Sequence, residues 1–143
     1  MYTSGVMTAI ARSISFAAVV FVLLGCGDRF QFAGKWTGQR EVQAQQGANP
    51  DVVNTLKRVT VKIDNEGRFE MFDQGISFAG PVQHDGSDLV LKPDTMLDRP
   101  LDRQPQDVRD AIKSARLKGN KDGTVTFSEE GGEPVTLKRE SQR

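Results

Sequence analysis

Between Gly34 and Arg139 the chain alternates apolar and polar residues in short runs, and a glycine-containing turn separates most of them. A period of two is the pattern of antiparallel strands with one buried face. Arg58–Asp64 shows it most cleanly: Val59, Val61 and Ile63 face one way, Arg58, Thr60, Lys62 and Asp64 the other. Gly34–Val42 carries Trp36 and Val42 against Lys35, Thr37, Gln39 and Glu41. Asn65-Glu66-Gly67 turns the chain into Arg68–Asp73, where Phe69 and Met71 point inward, and Ile76–His84 follows with Ile76, Phe78 and Val82. Asp85-Gly86-Ser87 leads to Asp88–Lys92, with Leu89 and Leu91 inside. Further strands are predicted near Ala115–Gly119, Thr124–Ser128 and Val135–Arg139, each joined to the next by a glycine turn. A slip of one residue in any of these strands exposes its apolar set, so the register is strongly specified.

Two helices interrupt the strands. Asn49-Pro50 is an N-cap followed by proline at the first helical position, and Val52, Val53 and Leu56 give a short apolar stripe near 50–57. The second, near 105–115, begins at Pro105; Val108, Ala111, Ile112 and Ala115 have the spacing of a helix lying on a core. Pro93–Gln104 reads as a solvated loop or as a lid over one barrel end, with Met96, Leu97 and Leu101 as its apolar underside. The expected fold is mainly β. An antiparallel meander of about eight strands forms a small barrel or half-barrel with two short helical insertions.

Composition limits the function. The chain has 143 residues, enough for one ordinary domain. Its 19 basic and 19 acidic residues are interspersed, so it lacks the basic face that a nucleic-acid binder needs. One cysteine and one histidine cannot form an internal disulfide, a Cys/His zinc cluster or an iron–sulfur site. No phosphate-binding glycine loop is present.

Residues 1–25 stand apart. Phe16–Leu24 is an unbroken apolar run behind Arg12, too short to span a membrane and of the length of a secretory signal core. Met1 and Met7 both suit the start of such a segment. Directly behind the run, Leu23-Leu24-Gly25-Cys26 resembles the lipobox of bacterial lipoproteins. The resemblance implies cleavage between Gly25 and Cys26, lipid attachment to the Cys26 thiol, and a membrane partner reached through that anchor. Two or three acyl chains anchor stably where a single chain does not. The expected location is the cell envelope, facing the periplasm or the exterior, on the outer membrane if the host has one. Residues 26–33 then serve as a short tether and 34–140 as the barrel domain.

Gly34-Lys35-Trp36 resembles the Gly-x-Trp that opens the first strand of lipocalin-like proteins. The likeness extends over about 32–140 to small bacterial lipoproteins of the same layout. It implies that a basic residue near the last strand packs across the tryptophan and closes the barrel end. Arg139 shares parity with Leu137 and suits that place over Trp36. The Thr-Asp-Tyr motif of true lipocalins is missing, and Tyr2 is the only tyrosine.

Other constellations read as structure. Lys118-x-Asn120-x-Asp122-Gly123 with Glu129 has calcium-loop spacing, but Lys118 stands where an aspartate is required and the flanks read as strands, so a hairpin turn is expected. His84 is the only candidate histidine base, and a serine–histidine–acid site would need Ser77, Ser87 or Ser128 brought to it; an exposed strand-end histidine is expected instead. Glu129, Glu130 and Glu133 form an acidic hairpin tip. No catalytic site, cofactor or metal is expected. The expected function is a non-catalytic binding module for a small apolar ligand or lipid, acting as a monomer. The alternative is an interaction, assembly or inhibitor lipoprotein whose barrel is filled and binds an envelope protein.

Overall fold

The computed structural model describes residues 30–43 and 45–141. In chain order its strands are β1 (Gly34–Gln39), β2 (Arg58–Ile63), β3 (Arg68–Asp73), β4 (Ile76–Asp85), β5 (Asp88–Leu91), β6 (Thr95–Met96), β7 (Arg99–Pro100), β8 (Ala115–Gly119), β9 (Val125–Glu129) and β10 (Val135–Arg139). Helix α1 (Pro50–Lys57) lies between β1 and β2, and α2 (Gln106–Ala111) precedes β8. The eight longer strands pair antiparallel in chain order, β1-β2-β3-β4-β5-β8-β9-β10. β10 returns to β1 through Trp36 opposite Arg139 and Thr37 opposite Lys138. The meander is therefore a closed eight-stranded barrel, and closure removes the free edges of an open sheet.

The alternation places the core. Trp36, Phe69, Phe127, Leu91, Leu117, Leu137, Val59, Val61 and Val125 are all less than 2 % exposed. Full burial of such side chains contributes roughly 1.5–3 kcal/mol each before conformational entropy is subtracted. β4 is the longest strand because it serves two barrel neighbours in turn, with β6 added along its outer half. Ile76–Pro81 pairs with β3, and Val82–Asp85 with β5.

The insertions depart from the sequence reading. α1 has the expected cap, with Asn49 Oδ1 accepting from Asp51 N at 2.9 Å and Pro50 in the first turn. Yet neither helix contains a buried residue, and Val52 is 54 % exposed. The closed barrel supplies its own core, which leaves the helices only its rim. α2 ends at Ala111, because the apolar spacing at Ala115 belongs to strand parity with Leu117. Pro93–Gln104 is neither a free loop nor a lid with Leu97 beneath it. It holds the β6–β7 hairpin, which pairs with β4 through Phe78 opposite Met96, while Leu97 at the tip is 54 % exposed.

The register gives the barrel two unlike ends. Where the chain enters at Phe30 and leaves at Arg139, β2–β3, β4–β5 and β8–β9 are joined by short turns. The other end carries α1, the β6–β7 hairpin, α2 and the Glu130–Pro134 turn.

Candidate functional site

At the entering end, alternation carries Trp36 fully into the barrel, where its Nε1 donates to Phe32 O at 2.7 Å. Arg139 Cζ lies 4.3 Å from the Trp36 ring centroid. Its guanidinium also donates to Ala33 O and Gln31 O. It therefore covers the indole and fastens the incoming segment with the same group. A Cβ on Gly34 would stand 2.5 Å from Arg139 Nη1, and Gly34 has φ +125°, so only glycine suits that position. Phe30 packs against Gly119 and lies 4.8 Å from the Phe32 ring and 5.8 Å from Trp36, centroid to centroid. Phe32 is buried. Phe30–Ala33 thus belong to the barrel end, although the sequence reading assigned them to the tether. Two phenylalanines two apart, ahead of Gly-x-Trp, continue the inward parity of Trp36 and were the signal for it.

The far end is sealed by charge. Arg40 continues the inward parity of Trp36, Asp73 that of Met71, and Glu129 that of Phe127. Arg40 donates from Nε to Asp73 Oδ1 at 3.2 Å and from Nη2 to Asp73 Oδ2, with Glu129 Oε2 3.7 Å away. Asp73 is the one buried charged residue among those described. Burial pushes its carboxyl above the ordinary carboxylate range, and the Arg40 charge opposes this. Burial, then the neighbouring Asp73 charge, raises Glu129 in the same direction, again against Arg40. Two acids sharing one guanidinium leave the cluster one negative charge in excess.

A third feature lies on the outside. The β6–β7 hairpin and the outer faces of β1 to β4 enclose a groove of about 360 Å³. Phe72, at an outward position of β3, lines it together with Thr60, Ser77, Lys35, Lys62 and Glu70, and Asp98 lines it from the hairpin. Register sets Lys35, Lys62 and Glu70 side by side on β1, β2 and β3, with Glu140, one residue past β10, beside Lys35. Lys35 meets Glu140 at 2.8 Å and Lys62 meets Glu70 at 3.6 Å. The two lysines are direct cross-strand neighbours, an arrangement that like-charge repulsion disfavours. The hairpin turn is costly too. Leu97 and Asp98 have φ of 50° and 58°, a left-handed conformation that side chains other than glycine adopt at a cost.

The remaining candidates take up structural places. His84 is exposed near the end of β4, and its cross-strand partner is Leu89. Asn120 and Asp122 serve the β8–β9 turn: Asn120 Nδ2 donates to Thr124 and Thr126, and Asp122 Oδ1 accepts from the Thr124 backbone and hydroxyl. The Thr124 hydroxyl, with the backbone amide behind it, holds Asp122 below the ordinary carboxylate range. Glu129 joins the Arg40 cluster, whereas Glu130 and Glu133 are exposed. Gly25 and Cys26 lie outside the described residues. Among the described residues no helix is long and apolar enough to cross a membrane. The chain matches no protein-family model and no curated protein.

Proposed function

We propose that this chain is an envelope lipoprotein anchored through Cys26, and that its barrel is a non-catalytic binding module working through its outer surface. The observation that carries the surface reading is the filled interior. Fifteen apolar residues from Phe32 to Leu137 are buried, and the largest are bulky aromatic and aliphatic side chains, while Ile76, Phe78 and Val82 on β4 are less covered. A small-molecule site needs roughly 300 Å³ or more of space. Three concavities exceed this volume: the 360 Å³ groove on the outer face, a 530 Å³ one along Thr37, Gln39 and Lys138, and a 1130 Å³ one beside Gly34, Asn65 and Ser141. This favours the filled-barrel alternative over an apolar ligand held inside. The anchor rests on Leu23-Leu24-Gly25-Cys26 behind the apolar run. Cys26 and Phe30 are four residues apart, so an anchored barrel would hold its Trp36 end within about 14 Å of the lipid attachment point. The inserted elements would then face away from the membrane. Mass spectrometry of the intact protein, purified gently from its own membrane, tests both parts. The expected result is a chain beginning at acylated Cys26 without a bound lipid, and Cys26→Ser abolishes acyl labelling. Continued labelling of that variant overturns the anchor; a stoichiometric lipid released only on unfolding overturns the surface reading.

A further inference from the structure

We infer that the groove beneath the β6–β7 hairpin is a binding site for a sugar ring bearing a carboxylate, such as an acidic unit of an envelope glycan. This deepens the surface-binding reading and rests on it. Phe72 is the one aromatic at an outward position among the described strands, and it lines a concave site instead of lying on a bare convex wall. An aromatic side chain offers a flat apolar surface to the C–H face of a pyranose. Around it stand the hydroxyls of Thr60 and Ser77, which can exchange hydrogen bonds with ring hydroxyls. Lys35 and Lys62, adjacent across β1 and β2, place two ammonium groups on one side, each beside a carboxylate. Their partners Glu140 and Glu70 are about half and three-quarters exposed, so those pairs are weak and leave the ammonium groups free to turn toward a ligand carboxylate. Asp98 closes the opposite rim as an acceptor for hydroxyls.

The hairpin supports the same reading independently. Asp94 N donates to Ala79 O and Leu97 N to Ser77 O, which ties the hairpin down onto β4. Its tip holds two consecutive non-glycine residues at positive φ, where the Asn-Gly type of pair would turn without strain. Backbone strain of this kind persists at ligand clamps, and here it presents Asp98 to the groove. The volume of about 360 Å³ suits one sugar ring with its substituents.

The test is calorimetric titration of the full chain, purified in detergent, with N-acetylmuramic acid, N-acetylglucosamine and inorganic phosphate. The first carries ring and carboxylate, the second the ring alone, the third charge alone. The expected result is that N-acetylmuramic acid binds at least about tenfold tighter than either of the others. Lys62→Gln should bring it down to the level of the neutral sugar, and Phe72→Leu should weaken both sugars while retaining an apolar side chain on the sheet. Lys121→Gln, in the β8–β9 turn, should change nothing. Unchanged Trp36 emission checks that each variant is folded. Phosphate binding as tightly as the acidic sugar, equal binding of the two sugars, or no heat from either sugar overturns the inference. None of these titrations involves Cys26 or the barrel interior. Their failure therefore leaves the anchor and the surface reading standing, whereas interior lipid or an unacylated Cys26 would bear on that earlier reading alone.

Discussion

The two ends of this barrel solve one problem with opposite chemistry. A closed barrel leaves an opening at each end through which water reaches the core. At the entering end, Phe30, Phe32 and Trp36 fill it, and Arg139 lies over the indole with its donors on two backbone carbonyls. At the far end, Arg40, Asp73 and Glu129 meet across the opening on the inward sides of three strands. Aromatic closure stabilises by area removed from water. Ionic closure must first overcome the desolvation of its charges, which in a buried site can exceed their attraction. The comparison teaches that similar positions in one fold need not contribute similar energies. The aromatic end stabilises the barrel; the ionic end orients Arg40, from which the chain leaves toward α1.

The strongest way to break this contrast is at Trp36. Trp36→Ala should cost about 3–5 kcal/mol, measured by urea unfolding, because the indole is wholly buried and its loss opens a cavity that a closed barrel cannot collapse. That is a large share of the ~5–15 kcal/mol that holds a small domain. A loss below about 1 kcal/mol would show that the end is sealed by Phe30 and Phe32 alone.

How far the sequence discloses this can be judged from particular residues. Period-two alternation places Val59, Val61 and Ile63 inside and Lys62 outside whatever the partner strand, so the strands and their buried faces are readable from local pattern, while barrel and half-barrel are not told apart. The ionic end follows from the same arithmetic: Asp73 is two residues beyond Met71, and Glu129 two beyond Phe127. Reading Glu129 as part of a hairpin tip hides it, because a charge on inward parity is normally a strand end reaching solvent. What brings the charges together is barrel closure, a long-range event that no local window contains. The groove is less legible still. Lys35 and Lys62 become neighbours only through the β1–β2 register, and the β6–β7 hairpin forms from two-residue strands too short to show a period.

At the far end, specificity and stability separate under substitution. Asp73→Ala leaves the partly buried Arg40 cation with only Glu129, 3.7 Å away, to offset it. The expected loss is about 3 kcal/mol, the low end for breaking a buried pair, because one carboxylate remains. Replacing the whole cluster by Arg40→Met, Asp73→Leu and Glu129→Gln should instead be neutral or stabilising, since no buried charge is left unpaired. Nothing comparable is expected for an equivalent swap at Trp36, where there is no desolvation cost to recover. If the triple replacement destabilises as much as Asp73→Ala, the cluster stabilises by attraction outright, and the contrast between the ends falls.

The smallest effect expected is a slope, and its sign is the informative part. Burial raises the carboxyls of Asp73 and Glu129 in the folded chain above the values they take when unfolded. Between the ordinary carboxylate range and those raised values, the folded chain binds more protons than the unfolded one. Stability therefore falls as pH rises through that window, so mild acidification should stabilise the barrel. Asp64 and Asp122 act the other way. Backbone donation from Arg68, and the hydroxyl and amide of Thr124, hold them below the ordinary range, and their contribution is lost as pH falls through those lowered values. The profile of unfolding midpoint against pH should thus rise on first acidification and fall on further acidification. Glu129→Gln should flatten the first limb, because it removes one of the two groups whose protonation drives that limb. It should leave the second limb in place, since Asp64 and Asp122 sit in turns at the opposite end of the barrel. A wild-type midpoint that declines steadily from neutral pH, with no rising limb for Glu129→Gln to flatten, would show that Arg40 outweighs burial at both acids. The ionic end would then be a net source of stability, as the aromatic end is.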